Sequence, residues 1–283
     1  MADDDLGAFW DGRANVEAGR EAARPAKQIH TDLLWREIRR CIGGRAGLAI
    51  LDAGGGSGRF SIPLAEAGHH LVHLDISTQM LHLAQQGSMA RAIAGIEFVQ
   101  GNIQDLSRFR DSSFDLVLCL DSPLSYCFDS YTVALSEMVR VSRSHLVLCV
   151  MNRTGVIAEG GVNFDLKNFG RLKTVLDVHS TGVLAVTDEL RQFIPTLIPT
   201  WHAFTPDELC NLVEASGCRM ERLSAPGSLA RFVDPDLLQK MYADRDAYEN
   251  FLDYTELYDS NVYMLGVGAA GAGGLLVTVV KRI

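Results

Sequence analysis

Apolar residues along this chain follow two rhythms. Over residues 27–41, and on to Ile42, the positions Ile29, Leu33, Leu34, Ile38 and Ile42 recur at steps of three and four. That spacing predicts an amphipathic helix, stopped by Gly43-Gly44. Short apolar runs then alternate with helical patterns. Strands are predicted at 48–51, 71–74, 96–100, 113–121 and 145–151, with helices at 59–67 and 130–141 between them. The run at 113–121 is apolar at successive positions, as a central parallel strand buried on both faces requires. Such alternation predicts an α/β fold, a doubly wound and mostly parallel sheet of seven strands. After the fifth strand the order is interrupted. Residues 172–178 and 183–189 alternate apolar and polar around Ser180-Thr181-Gly182, which predicts a β-hairpin within an insertion, 152–204. Thr205 and Pro206 then open a helix as N-cap and first residue. A sixth strand is expected at 218–223. A second insertion, 225–265, should hold two short acidic helices, and 275–281 supplies the last strand. The divisions are 1–44, an N-terminal segment and helix; 45–151, the core; 152–204, the inserted hairpin; and 205–283, the rest of the core with the helical insertion.

With 283 residues, 47% of them hydrophobic, the chain can fill a full core. A net charge of −9 and a pI of about 5.3 argue against a nucleic-acid partner, which calls for a basic face. Lys/Arg clustering does not go beyond Arg36, Arg39 and Arg40. No apolar run reaches the ~18–20 residues of a membrane span, and the acidic first five residues do not resemble a secretory leader. The cysteines form no Cys-x-x-Cys pair, and Cys119 and Cys149 fall inside predicted strands; this reads as a reduced, cytoplasmic protein. No metal-ligand spacing is present, and the neighbours His69 and His70 point apart. The stretch 234–259 carries eight acids against Lys240 and Arg245, interleaved with Tyr242, Tyr248, Phe251, Tyr254 and Tyr258. It is a solvated face or a wall for an amine-bearing substrate or a partner subunit, so a homodimer stays open.

The chemistry concentrates at 50–60, where the first strand runs into Asp52-Ala53-Gly54-Gly55-Gly56-Ser57-Gly58-Arg59. A strand, a glycine turn and a helix start offer bare backbone and free N–H groups to a ligand. A dinucleotide fingerprint wants glycines at positions one, three and six. Counted from Gly54, position six is Arg59; the glycines alternate instead, as Asp52-x-Gly54-x-Gly56-x-Gly58. In this form the chain resembles the class I S-adenosylmethionine (SAM)-dependent methyltransferases of the small-molecule type. The resemblance covers about 45–151 by motif, and 204–224 and 275–281 by layout only. It implies a Rossmann-like methyltransferase fold with an antiparallel last strand, SAM as cofactor, and methyl transfer to N or O of a small-molecule metabolite.

The resemblance places Asp52, Gly54, Gly55, Gly56 and Gly58 at the cofactor's amino-acid end. Asp75, about twenty residues past the glycines, stands where a ribose-binding acid belongs. Ile76 and Met80 would flank the adenine, Asn102 would face its exocyclic amine, Ile103 would offer a backbone N–H, and Leu120 would present backbone. An N-terminal lid would bring Phe9, Trp10, Arg13, Arg20 and Arg24 toward the cofactor. Near the acceptor, Asp121, Tyr126 and His202 are the candidate catalytic groups. Ser122 and Leu124 depart from the Asp/Asn-Pro-Pro-aromatic motif of DNA amino-methyltransferases, a further argument against nucleic acid. Two other functions share these features: an NAD(P)-dependent oxidoreductase on the same sheet, and a non-catalytic SAM-binding subunit.

Overall fold

The structure, a computed structural model, describes residues 3–20, 25–193, 199–268 and 274–282. Two helices come first, α1 (Asp3–Ala18) and α2 (Pro25–Ile42). The core then alternates β1 (Ala49–Ala53), α3 (Ser61–Glu66), β2 (His70–Asp75), α4 (Thr78–Ala90), β3 (Ile96–Gln100), β4 (Phe114–Cys119), the short α5 (Pro123–Tyr126), α6 (Tyr131–Val141) and β5 (Ser142–Met151). The insertion follows: α7 (Arg153–Val156), a π turn (Ile157–Gly161), α8 (Val162–Phe169), α9 (Thr174–Thr181), β6 (Val183–Leu184), α10 (Asp188–Phe193) and β7 (Trp201–His202). The chain then adds α11 (Pro206–Ala215), β8 (Cys218–Ser224), α12 (Pro235–Met241), α13 (Arg245–Asp259), α14 (Val262–Val267) and β9 (Gly274–Lys281).

Seven strands form one sheet in the order β3-β2-β1-β4-β5-β9-β8. The first five are parallel, and β9 runs antiparallel to both β5 and β8. Alternate residues of β1 and β4 serve opposite faces. Leu51, Val117 and Cys119 join one core cluster, while Ile50, Leu116 and Leu118 join the other with Leu34, Ile38 and Phe60. Both faces are covered, so these central strands are apolar at successive positions, with Asp52 in β1 and Asp115 in β4 as exceptions. Strand order reverses between β1 and β4, and this leaves a crevice at their carboxyl ends.

The expected hairpin at 172–189 is not there. Residues 174–181 form a helix, and β6 pairs instead with β7, Val183 opposite His202. The cause lies eight to ten residues upstream. The buried Asp165 carboxylate accepts from the backbone N–H groups of Lys173 and Val175 and from the Thr174 hydroxyl. It satisfies donors that a helix start leaves open. Val175 and Val178 then point inward at a helical step. Gly182, with φ of +78°, ends the helix in the left-handed conformation, so the residues that resemble a hairpin turn are a helix C-cap. The polar N-terminal stretch is also helical in α1.

Candidate active site

The glycine turn is built by the strand ends around it. Gly54 and Gly55 both donate their N–H to the Leu74 carbonyl at the tip of β2, at 2.8 and 3.0 Å. Gly54 has φ of +81°, and a Cβ there would lie 2.5 Å from the Pro123 ring. No other residue type fits that position without moving α5. The turn sits above a crevice of about 130 Å³. Its walls include Asp52, Gly54, Gly55, Gly56, Asp75, Ile76, Met80, Asn102, Ile103 and Leu120, together with Trp10, Asp121 and Tyr126. With Arg20, which also lines it, fourteen of the nineteen predicted positions therefore meet in one space. Gly58 lies behind it, letting α3 approach Ala84 of α4. His202 is not on the wall; it is buried between the rings of Tyr131 and Phe204, and burial holds its pKa below the ordinary value. That packing keeps it apart from the crevice in which a proton acceptor is expected. Arg24 lies outside the described residues.

Asp75 is buried, and its oxygens accept from the N–H groups of Gly56 and Ser77 at 2.8 and 2.9 Å. Burial raises its pKa against those two donors. Each oxygen keeps a second lone pair for a hydroxyl in the crevice. Asp52 is more deeply buried, and burial pushes it up to about 6 against the Ser61 hydrogen bond and the Arg59 charge. The Asn102 side-chain oxygen accepts from the Gln104 N–H, closing the turn that holds Ile103 at the wall.

Several wall residues escape the motif reading: Leu6, Glu17, Ser57, Arg59, Pro123 and Cys127. Arg59 has a local signal, since it directly follows the glycines. Ser57 lies within the turn itself, Pro123 and Cys127 flank the predicted Asp121 and Tyr126, and Leu6 and Glu17 come from α1, far away in sequence. Helix α1 closes the crevice from above. Its Asp11 accepts from Ser77 Oγ, Thr78 Oγ1 and the Gln79 N–H at the start of α4. Its Trp10 ring meets Tyr126 edge-on at 5.1 Å, and Arg20 pairs with Asp121.

Asp121 follows β4 with φ of +60°, and Ser122 follows with +78°. Two consecutive non-glycine residues in the left-handed region are strained, and such strain gathers at functional sites. Arg59 and Arg20 both pair with the Asp121 carboxylate, and His30 Nε2 lies 3.4 Å from Oδ1. Burial alone would raise this acid, but the two guanidinium charges and His30 hold it well below the usual carboxylate range. Tyr126 moves the other way, its hydroxyl pushed up by burial. Asp121 is thus a weak base and Tyr126 a neutral donor at neutral pH.

A strand-order reversal, a glycine turn and an acid at the next strand's tip are the features with which open α/β sheets hold nucleoside-type cofactors. Comparisons with known proteins refine this. Residues 50–145 match the family model described as a methyltransferase domain. The chain is 31% identical over 153 residues to the tRNA 5-carboxymethoxyuridine methyltransferase of Escherichia coli (strain K12), covering 52% of this chain and 58% of that protein. It is 30% identical over 166 residues to the ubiquinone/menaquinone biosynthesis C-methyltransferase UbiE of Vibrio vulnificus (strain YJ016), covering 56% and 57%. The crystal structure of magnesium protoporphyrin IX methyltransferase from Synechocystis PCC 6803 with bound SAH superposes with a TM-score of 0.51 at 17% identity, covering 91% of this chain and 83% of that one. At that identity the likeness is one of fold. Residues 50–145 are thus a methyltransferase domain by that model, and the sheet has the fold of the SAM-dependent methyltransferases on which it superposes. The chain spans a little over half the length of the curated relatives it matches.

Proposed function

We propose that this chain transfers a methyl group from SAM to a small-molecule acceptor by in-line displacement, with an oxygen acceptor favoured over a nitrogen one. The observation that carries the reading is the convergence of the glycine turn, Asp75 and Asp52 on one crevice roofed by α1. The cradle suits the cofactor: a Cβ at Gly54 would fill it, and the buried Asp75 has lone pairs to offer the two ribose hydroxyls. Ile76, Met80 and Ile103 would flank the adenine, with Asn102 at its polar edge. Asp52 would face the ammonium, and Arg20 and Arg59 the carboxylate. Trp10 and Leu120 would complete the enclosure, with Gly58 behind it.

Bound SAM supplies a methyl made electrophilic by its sulfonium. What this chain's residues contribute is position, which can account for ~7–11 kcal/mol of barrier lowering. Trp10 and Tyr126 would hold the acceptor and exclude water. Asp121 is held too firmly as an anion to take a proton from an ammonium, so it would orient through Arg20 and Arg59. An amine has to lose a proton before it can attack; a phenol or carboxylic acid needs less help. This supports oxygen as the acceptor atom.

The name of the Escherichia coli relative makes tRNA the second reading for the acceptor. The net charge of −9 and the closed roof favour the small molecule. The test is a methyl-transfer assay with labelled SAM over phenols, carboxylic acids, amines and bulk tRNA. Transfer to phenols or acids supports the proposal; transfer to tRNA alone overturns it. Binding of SAM with no transfer to any class would favour a non-catalytic subunit.

A further inference from the structure

Beneath the glycine turn lies a chain of polar groups of which the proposed function uses only Asp52. His73 is fully buried on β2, in register with Asp52 on β1 and Phe98 on β3. Its Nε2 is 3.0 Å from the Gly56 carbonyl oxygen, and its Nδ1 is 2.8 Å from Ser61 Oγ. Ser61 Oγ is in turn 2.6 Å from Asp52 Oδ2. The imidazole touches the turn directly, since a Cβ on Gly55 would lie 2.4 Å from its Cε1.

The hydrogens available to these groups fall one short of the contacts. A carbonyl oxygen only accepts, so Nε2 carries a hydrogen toward Gly56. Two contacts remain, Nδ1 to Ser61 and Ser61 to Asp52. The serine hydroxyl has one hydrogen and can serve only one of them. With Asp52 ionised and His73 neutral, two lone pairs would face each other at hydrogen-bond distance. One additional proton, on Asp52 or on Nδ1, satisfies both contacts.

We propose that Asp52, Ser61 and His73 share one proton under the glycine turn, and that His73 is a positioning residue through which this proton couples cofactor binding to pH. The inference rests on the cofactor reading above, with an ammonium beside Asp52. A cation there weakens the hold on the proton wherever among the three groups it sits, so binding releases it. The charged groups facing the three are Asp75 on β2, Arg59 before α3 and Asp121 after β4; from β3 only the Phe98 ring packs on the imidazole, at 5.5 Å. Burial lowers the His73 pKa and pushes Asp52 up to about 6, which puts the proton on Asp52 while the site awaits its ligand.

The experiment is calorimetric titration of the whole protein with S-adenosylhomocysteine from pH 5 to 8, in pairs of buffers with different ionisation heats. For the natural sequence, affinity should rise toward tenfold per pH unit below about pH 6 and level off above about pH 7, with proton release near pH 6. His73→Asn places an amide donor opposite Ser61 and removes the need for the proton. Its affinity should stay within about twofold across the range, with no proton released. His73→Gln keeps a donor for Gly56 and has no acceptor opposite Ser61, so it should behave likewise if the Asn variant fails to fold. A merely structural role would change affinity without changing the proton count. Equal release in the natural protein and in a folded variant overturns the inference and leaves the cofactor reading standing. No binding by the natural protein at any pH overturns the cofactor reading and the inference together.

Discussion

At the scale of single residues, the two acids of the crevice do different work. Asp75 is held by two backbone donors and keeps lone pairs for a sugar, so Asp75→Ala should lower SAM affinity tenfold or more with the fold intact. Calorimetry beside a circular-dichroism melt checks both halves. Unchanged affinity would remove Asp75 from the site. Asp52 is a burden on the folded state. Its pKa rises from 3.8 to about 6, so its favourable contribution is complete below pH 3.8 and is lost as pH rises through about 6. A rise of that size corresponds to about 3 kcal/mol of ionisation penalty at pH 8. Asp52→Asn should therefore raise the melting temperature at pH 8 by several degrees, change it little at pH 4, and weaken SAM binding. A variant that melts lower at pH 8 would contradict the account. Asp52, Asp75 and the glycines were legible in the sequence because a turn against a ligand needs those residue types within a few positions. His73, two residues before Asp75, carries no such mark. Only the fold shows that its ring fills the space under Gly55.

Among the elements, α1 and the insertion part company with the pattern of the sequence. Helix α1 is polar and its periodicity weak, and it is helical where it docks on α4. Asp11 joins three donors at the α4 start, so Asp11→Ala should speed release of S-adenosylhomocysteine several-fold, measured by stopped flow, with a smaller change in association. An unaltered release rate would mean that α1 does not gate the site. In the insertion, Asp165 decides helix over strand for 174–181. Asp165→Ala leaves three donors unpaired in a buried place and should destabilise that segment by about 2–4 kcal/mol. Hydrogen exchange should quicken over 165–182 while the sheet stays protected. Alternation of apolar and polar residues over seven positions cannot separate a strand from a capped two-turn helix, because the separating contact comes from outside the window. The helix that Thr205 opens is the opposite case. Its capping box with Glu208 is wholly local, and it forms as the spacing predicts.

Over the whole molecule, the sheet order creates the crevice and a ligand in it binds the folded chain alone. S-adenosylhomocysteine at a hundred times its dissociation constant should add about 2.7 kcal/mol, a rise of roughly 5–10 °C in melting temperature. NAD at the same concentration should add nothing. The reverse result would return the chain to the oxidoreductase reading. The parallel core could be anticipated because burial on both faces forces continuous apolar runs, whereas the antiparallel last strand was implied by the resemblance alone. The meeting of Arg20 after α1, His30 of α2 and Arg59 of the glycine turn around Asp121 could not be anticipated, since nothing along the chain says that these side chains will face one another.

By itself the sequence determined the sheet, the glycine turn and the acid at the next strand's tip. Each follows from period, residue type and short spacing, which act along the chain. Tertiary structure alone decided which charges face one another, which helix roofs the crevice, which histidine supports the turn and which merely packs. Those outcomes depend on burial and on distances between residues far apart in sequence, and neither quantity exists before the chain has folded.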